Sequence, residues 1–253
     1  MAPGRSGLGG IVFRNVCKDF ARPDGKRLHV LKDLTFELAS GTFNSILGPS
    51  GCGKSTILNL IAGLDRPASG NVATDGKRIG FVFQQPRLLN WRTVAENVVL
   101  PLEQGVLDRN ARRDLARSYL ELVGLAGCED YYPLQLSGGM QQRVAIARAL
   151  VIDPGILLMD EPFSGLDEWT ARKLRQELIR IWRQTGKTIV FVTHSISESV
   201  FLSQQILVVS QKPATIFKRV PIDLPYPREY TDLRLFEIET DLTKSFLGMD
   251  FGD

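Results

Sequence analysis

Cysteine is scarce in this sequence: Cys17, Cys52 and Cys128 are spread over 253 residues, an odd number with no C-x-x-C pair. That excludes a disulfide framework, argues against a thiolate metal site and points to a reducing compartment. No run of 18 or more apolar residues occurs, so nothing reads as a membrane-spanning helix. Long blocks of like charge are also missing, and the net charge is only +3. A nucleic-acid partner would leave a stronger basic footprint, so none is expected. The glycine-dotted start has no apolar stretch of the kind a secretion signal needs, and residues 1–9 read as a flexible tail.

What is present is more specific. Gly48-Pro49-Ser50-Gly51-Cys52-Gly53-Lys54-Ser55-Thr56 is built to grip a polyphosphate. Its glycines let the loop curl so that successive backbone N–H groups point inward. Lys54 supplies a flexible cation for the β- and γ-phosphates, and Ser55 a hydroxyl for Mg²⁺. The context agrees: residues 43–47 read as a short buried strand and 56–62 as a helix, whose positive dipole end adds to the anion site. Cys52 reads as a small filler whose place in the loop should make nucleotide binding sensitive to alkylation.

Strand signals recur at 10–16, 34–38, 43–47, 78–83, 156–159, 188–193 and 206–209. Several are near-continuous apolar runs, as for strands covered on both faces, and helical segments alternate with the later ones. A largely parallel sheet is therefore predicted. Residues 93–136 carry no strand signal. Thr93 to Glu96 reads as a capping box opening one helix. A second is predicted over 108–123, with Leu115, Tyr119 and Leu122 along one face and Gly124 as its stop. Arg109, Arg112, Arg113 and Arg117 read as its solvated face. The whole stretch, about 93–150, is read as a helical insertion in an α/β core, and a last helix is predicted over 230–247.

Residues 156–161 form an apolar strand ending abruptly in Asp160 and Glu161. A buried strand that delivers a carboxylate to its C-terminal end is where a doubly wound sheet places ligand chemistry. Asp160 would hold Mg²⁺ opposite Ser55, and Glu161 would orient and polarise the water attacking the γ-phosphorus. The alternative is a pair of solvated acids.

Ser137-Gly138-Gly139-Met140-Gln141-Gln142-Arg143 is a second anion-ready helix start: serine caps it, and two glycines clear side chains from its first turn. One triphosphate scarcely needs two such starts. The economical resolution is that this one serves a nucleotide held by another protomer.

With these motifs in this order, residues 10–220 resemble the ATP-binding subunit of an ABC transporter. The resemblance implies an α/β P-loop NTPase core with a mainly parallel sheet, an antiparallel β subdomain and an inserted α-helical subdomain. It assigns the ATPase domain to 10–225 and a C-terminal helical extension to 226–253. By the same resemblance, Gln84 contacts the metal and the attacking water. Asp167, in Ser164-Gly165-Leu166-Asp167, speaks across the dimer seam, although alanine is commoner where Gly165 stands. His194 contacts the γ-phosphate, and Phe20 stacks on adenine where tyrosine is more frequent, with a core aromatic as the alternative. Ser195 replaces an acid, and Ser195 to Glu198 is expected to form a capping box instead.

ATP and Mg²⁺ are thus the expected cofactors, and a second ATPase subunit (a homodimer), integral membrane permease subunits and, indirectly, an extracytoplasmic solute-binding protein the expected partners. The place implied is the cytoplasmic face of the inner membrane. The expected docking surface for the permease runs from Gln84 through Pro86 to Trp91, with ordinary packing between core and subdomain as the alternative. The wording of that stretch and of Thr93 to Val98 resembles the importer branch for nitrate, sulfonates and taurine. An exporter or lipid-extracting ATPase shares the catalytic motifs. A non-transport ABC ATPase would carry two cassettes or a coiled-coil insertion, and a P-loop kinase or GTPase has no use for Ser137 or His194.

Overall fold

A computed structural model of the chain describes residues 10–23 and 25–248. The tail predicted over 1–9, and the last five residues of the predicted C-terminal extension, lie outside the described residues. The strands are β1 (Gly10–Ala21), β2 (Arg27–Ala39), β3 (Phe43–Leu47), β4 (Ser69–Thr74), β5 (Ile79–Val82), β6 (Ile156–Asp160), β7 (Thr188–Thr193), β8 (Gln205–Val209) and β9 (Ile216–Pro221). The helices are α1 (Lys54–Ile61), α2 (Val94–Val99), α3 (Arg109–Leu122), α4 (Gly138–Leu150), α5 (Glu168–Thr185), α6 (Ile196–Leu202) and α7 (Leu233–Leu247). The chain divides into two compact units, one running up to Lys77 and resuming at Thr193, the other Arg78–Val192.

In the first unit, β1 pairs antiparallel with β2 on one side and with β4 on the other. Phe13 and Phe36 stack across the β1–β2 pair with centroids 4.4 Å apart, and both are buried. Here β2 runs well beyond the predicted 34–38, because its exposed half is held by pairing with β1 as far as Arg27. β4 carried no strand signal: its residues are mostly exposed and small, and it exists through its ladder to β1. β3, buried at all five positions, runs parallel to β8, as a strand covered on both faces should. β9 lines β8 antiparallel, another strand that the proline-dotted text past residue 209 did not reveal.

The second unit aligns β5, β6 and β7 in parallel, with Ile79 beside Ile156 and Ile156 beside Thr188. Between β5 and β6 the described chain has helices and no strand. The capping box at Thr93 is complete: its hydroxyl accepts from the Glu96 amide and the Glu96 carboxylate accepts from the Thr93 amide. α3 is capped by Asp108 and turned off by Gly124 at φ +70°. Its buried line is Ala116 and Leu120, continued by Val123; Leu115, Tyr119 and Leu122 are half-buried beside it, one position off the predicted face. Arg109, Arg113 and Arg117 are exposed and Arg112 half-buried.

Candidate nucleotide-binding site

The loop from Gly48 to Gly53 joins β3 to α1, and its first amide donates to the Thr193 carbonyl at 3.4 Å, the last residue of β7. Gly53, the residue capping α1, has φ +119° and offers no side-chain acceptor to the first turn. A side chain there would also press on Val30, whose Cγ1 stands 2.9 Å from the position of a Cβ. Glycine is required on both counts. A helix start without a side-chain cap is a suitable place for an external anion. Lys54 is buried at 5% exposure, and its Nζ donates to the carbonyls of Gly48 and Pro49, each at 2.9 Å. Those bonds hold the loop in its curl. Ser50, Gly51 and Ser55 are exposed; Pro49 and Thr56 are half-buried.

Cys52 is 2% exposed, and burial pushes its thiol up from the ordinary range despite the Lys54 charge nearby. The expected sensitivity to alkylation is therefore corrected: a buried, protonated thiol reacts slowly.

His194 follows β7 directly and is exposed. The predicted capping box beside it is only half formed. Ser195 Oγ accepts from the Glu198 amide at 3.3 Å. The Glu198 carboxylate, however, accepts from Thr193 Oγ1 at 2.5 Å, and the Ser195 amide donates to that same hydroxyl at 3.0 Å. Thr193 has taken the partner that a simple box would use. Phe20 is 40% exposed with Lys18 Nζ over its ring, 4.8 Å from the centre, so it is no core aromatic.

In the second unit, β6 brings Asp160 to its end half-buried behind four buried residues. Glu161 turns out of the strand at φ +41°, a left-handed backbone unusual for a side-chain-bearing residue. Its amide is fixed by the Val192 carbonyl at 3.1 Å, and its own carbonyl accepts from the Ser164 amide at 3.1 Å. Strain of this kind persists only where the surroundings impose it, and it clusters at functional positions.

Ser137 caps α4, accepting from the Met140 amide at 3.4 Å. Gly138 is exposed with room for a side chain, whereas Gly139 is buried under Thr170 of α5. Asp167 caps α5: its carboxylate accepts from the Thr170 amide at 2.9 Å, and hydrogen bonds from Thr170 hold its carboxyl below the usual range. Gly165, at φ +78°, sits where an alanine would be strained.

Gln84 lies just past β5 and is exposed. The segment after it is pinned by two residues whose roles the sequence concealed. Arg148 donates to the carbonyls of Pro86 (2.5 Å) and Arg87 (2.9 Å). Asn97, fully buried, accepts from the Leu89 amide and donates to the carbonyls of Leu89, Arg92 and Thr93. Held between them, Trp91 stays 75% exposed. Neither Arg148 nor Asn97 carries a local signal, because each bonds main-chain atoms rather than a motif partner.

The loop from Gly48 to Gly53 belongs to one unit, and the strand-end acids with the glycine-rich start of α4 to the other. Residues 31–164 match the sequence profile of the ABC transporter family. The chain belongs to that family. This ABC ATPase is 42% identical to the aliphatic sulfonates import ATP-binding protein SsuB of Bacillus cereus, over 93% of this chain and 95% of the relative. It is 42% identical to the taurine import ATP-binding protein TauB of Pelagibacter ubique, over 90% of this chain and 88% of the relative. Its fold superposes with a TM-score of 0.75 on a dimeric ATP-binding cassette bound to ADP and phosphate in a post-hydrolysis state. That protein is 36% identical, and the match covers 85% of this chain and all of the other. Among the described residues of the ABC ATPase, no helix is long and apolar enough to cross a membrane.

Proposed function

We propose that this ATPase energises the import of a small anion, a sulfonate, taurine or nitrate, through separate membrane permease subunits. The importing relatives support the direction and solute class. The observation that carries the reading is the pair of anion-ready helix starts, α1 behind Lys54 and α4 behind Ser137, in one chain. Each nucleotide is read by the loop of one copy and by Ser137, Gly138 and Gly139 of another, and the dimeric ADP-bound cassette supports this pairing.

Each copy contributes named parts. Gly48, Pro49, Ser50, Gly51, Cys52, Gly53, Lys54, Ser55 and Thr56 hold the phosphates, and Phe20 stacks on adenine. Glu161 orients and polarises the attacking water, and His194 and Gln84 contact the reacting end. Ser55, Gln84 and Asp160 suit Mg²⁺, being oxygen donors of the hard kind it prefers. Magnesium when bound neutralises developing phosphate charge. Closing on ATP and opening after hydrolysis then shift a two-state population, because only ATP bridges both copies. Asp167, at the start of α5, lies in the segment that senses the seam, and residues 86–91 with exposed Trp91 offer the permease its contact. An extracytoplasmic solute-binding protein completes the importer, and the ATPase sits peripherally on the cytoplasmic face of the inner membrane.

The test is size-exclusion chromatography with light scattering on Glu161→Gln. A dimer stabilised by ATP is expected, and a monomer at saturating ATP would overturn the shared-site reading. Isolating the membrane assembly and identifying the small molecule on its capture protein tests the solute class.

A further inference from the structure

Arg228 is 5% exposed, yet among the described residues no carboxylate meets its guanidinium. Its Nη1 donates to the carbonyls of Val200 (2.8 Å), Phe201 (3.3 Å) and Ser203 (2.8 Å). Nη2 donates to Leu224 (2.9 Å) and Ile222 (3.4 Å), and Nε to Leu224 at 3.2 Å. The hydroxyl of Tyr226 takes the remaining carbonyl of that turn, Leu202, at 2.6 Å, and its ring lies 4.2 Å from the guanidinium carbon. Tyr230 stacks on Phe201 with centroids 4.1 Å apart. The carbonyls of residues 200–203 lie at the negative C-terminal end of α6, where partners must come from outside the helix. That end supplies the partial charge a buried cation needs, and the cation closes the helix.

α6 is seven residues long, two turns that would not hold shape alone. Its opposite end is the knot of Thr193, Ser195 and Glu198 that brackets His194. Both ends are therefore tied, one by the residues around the histidine and the other by the C-terminal extension. α7 packs on α6 and β3 lies against it, which makes the helix a short strut.

We propose that Arg228 is a positioning residue for His194, the extension acting through α6 to set the histidine for the γ-phosphate. This rests on the reading of His194 given above, and it assigns a role to residues 226–230, which lie outside the phosphate-binding machinery.

The test uses the full chain. Its only histidines are His29 and His194, so a histidine Cε1–Hε1 NMR spectrum has two signals, with His29, paired with Asp19 at 2.8 Å, as internal control. Arg228→Met is expected to shift or broaden the His194 signal and leave His29 in place. It should lower kcat by roughly tenfold or more with KM for ATP changed less than about threefold. Arg228→Lys should restore part of the turnover. Combined with His194→Ala, Arg228→Met should cost no further turnover. An unmoved His194 signal in folded protein, or losses that multiply in the double variant, would overturn the proposal. Full turnover in His194→Ala alone would instead remove the histidine's role, while the signal shift still reports the mechanical link. If Arg228→Met does not fold, Tyr226→Phe removes a single bond of the same clasp and should move the His194 signal in the same direction by less; no movement there also overturns it.

Discussion

The side chain of Thr170 fills the space that a Cβ on Gly139 would occupy. The second glycine of the α4 start is thus dictated by the packing of α4 against α5, before any nucleotide is considered. Its neighbour Gly138 has only an ordinary contact ahead of it, with Leu166 Cδ2 3.7 Å from a Cβ position. The two glycines, alike in the sequence, answer to different demands.

Gly139→Ala should therefore destabilise the fold by about 1–3 kcal/mol through overpacking, visible as a lowered Tm without ligand. Gly138→Ala should leave the ligand-free Tm nearly unchanged and lower ATP turnover. Equal melting temperatures for the two variants would show that Thr170 yields freely.

The left-handed backbone of Glu161 separates a chemical from a conformational role. Glu161→Ala and Glu161→Gly both remove the carboxylate and should each lose turnover by about 10²-fold or more. The glycine variant should be the more stable by roughly 1 kcal/mol, because alanine is strained at positive φ. Chemical denaturation of the pair measures this. A more stable alanine variant would contradict the strain.

Lys54 ties together the carbonyls of Gly48 and Pro49. Lys54→Ala should weaken ATP binding at least about tenfold, the scale of one lost charge-assisted contact. Equilibrium titration with a fluorescent nucleotide is the measurement, and unchanged affinity would count against the loop.

Thiol chemistry offers a check on burial. Cys17 and Cys128 are half-buried and Cys52 is buried with its thiol pushed up. A maleimide titration of native protein should show two faster thiols and one slow one. Raising the folded value favours the protonated thiol, so this contribution to stability is full below the unfolded thiol pKa. It is lost as pH rises through the folded value. Alkylation of Cys52 should accelerate over the same alkaline window.

Much of the local structure around the candidate site could be read from residue order because its parts are local. A phosphate loop needs glycines and a lysine at fixed spacing, and β6 announces itself as an apolar run ending in acids. Helix caps at Thr93 and Ser137 are likewise set within three residues. The expectation failed at Ser195 because Thr193, two residues earlier, competes for Glu198. It missed β4 and β9 because exposed strands are defined by the ladder they join and have no apolar pattern of their own.

The amino-acid order by itself determined the local features: a glycine-rich loop between strand and helix, which acids end a buried strand, and where several helices begin. Tertiary structure alone decided that Glu161 takes a left-handed turn, that Thr170 forbids a side chain at Gly139, and that Arg228 closes α6. Local motifs are written in short-range geometry, which neighbouring residues specify together. Backbone strain, steric exclusion and a buried cation's partners depend on atoms brought close from distant parts of the chain, and only folding supplies them.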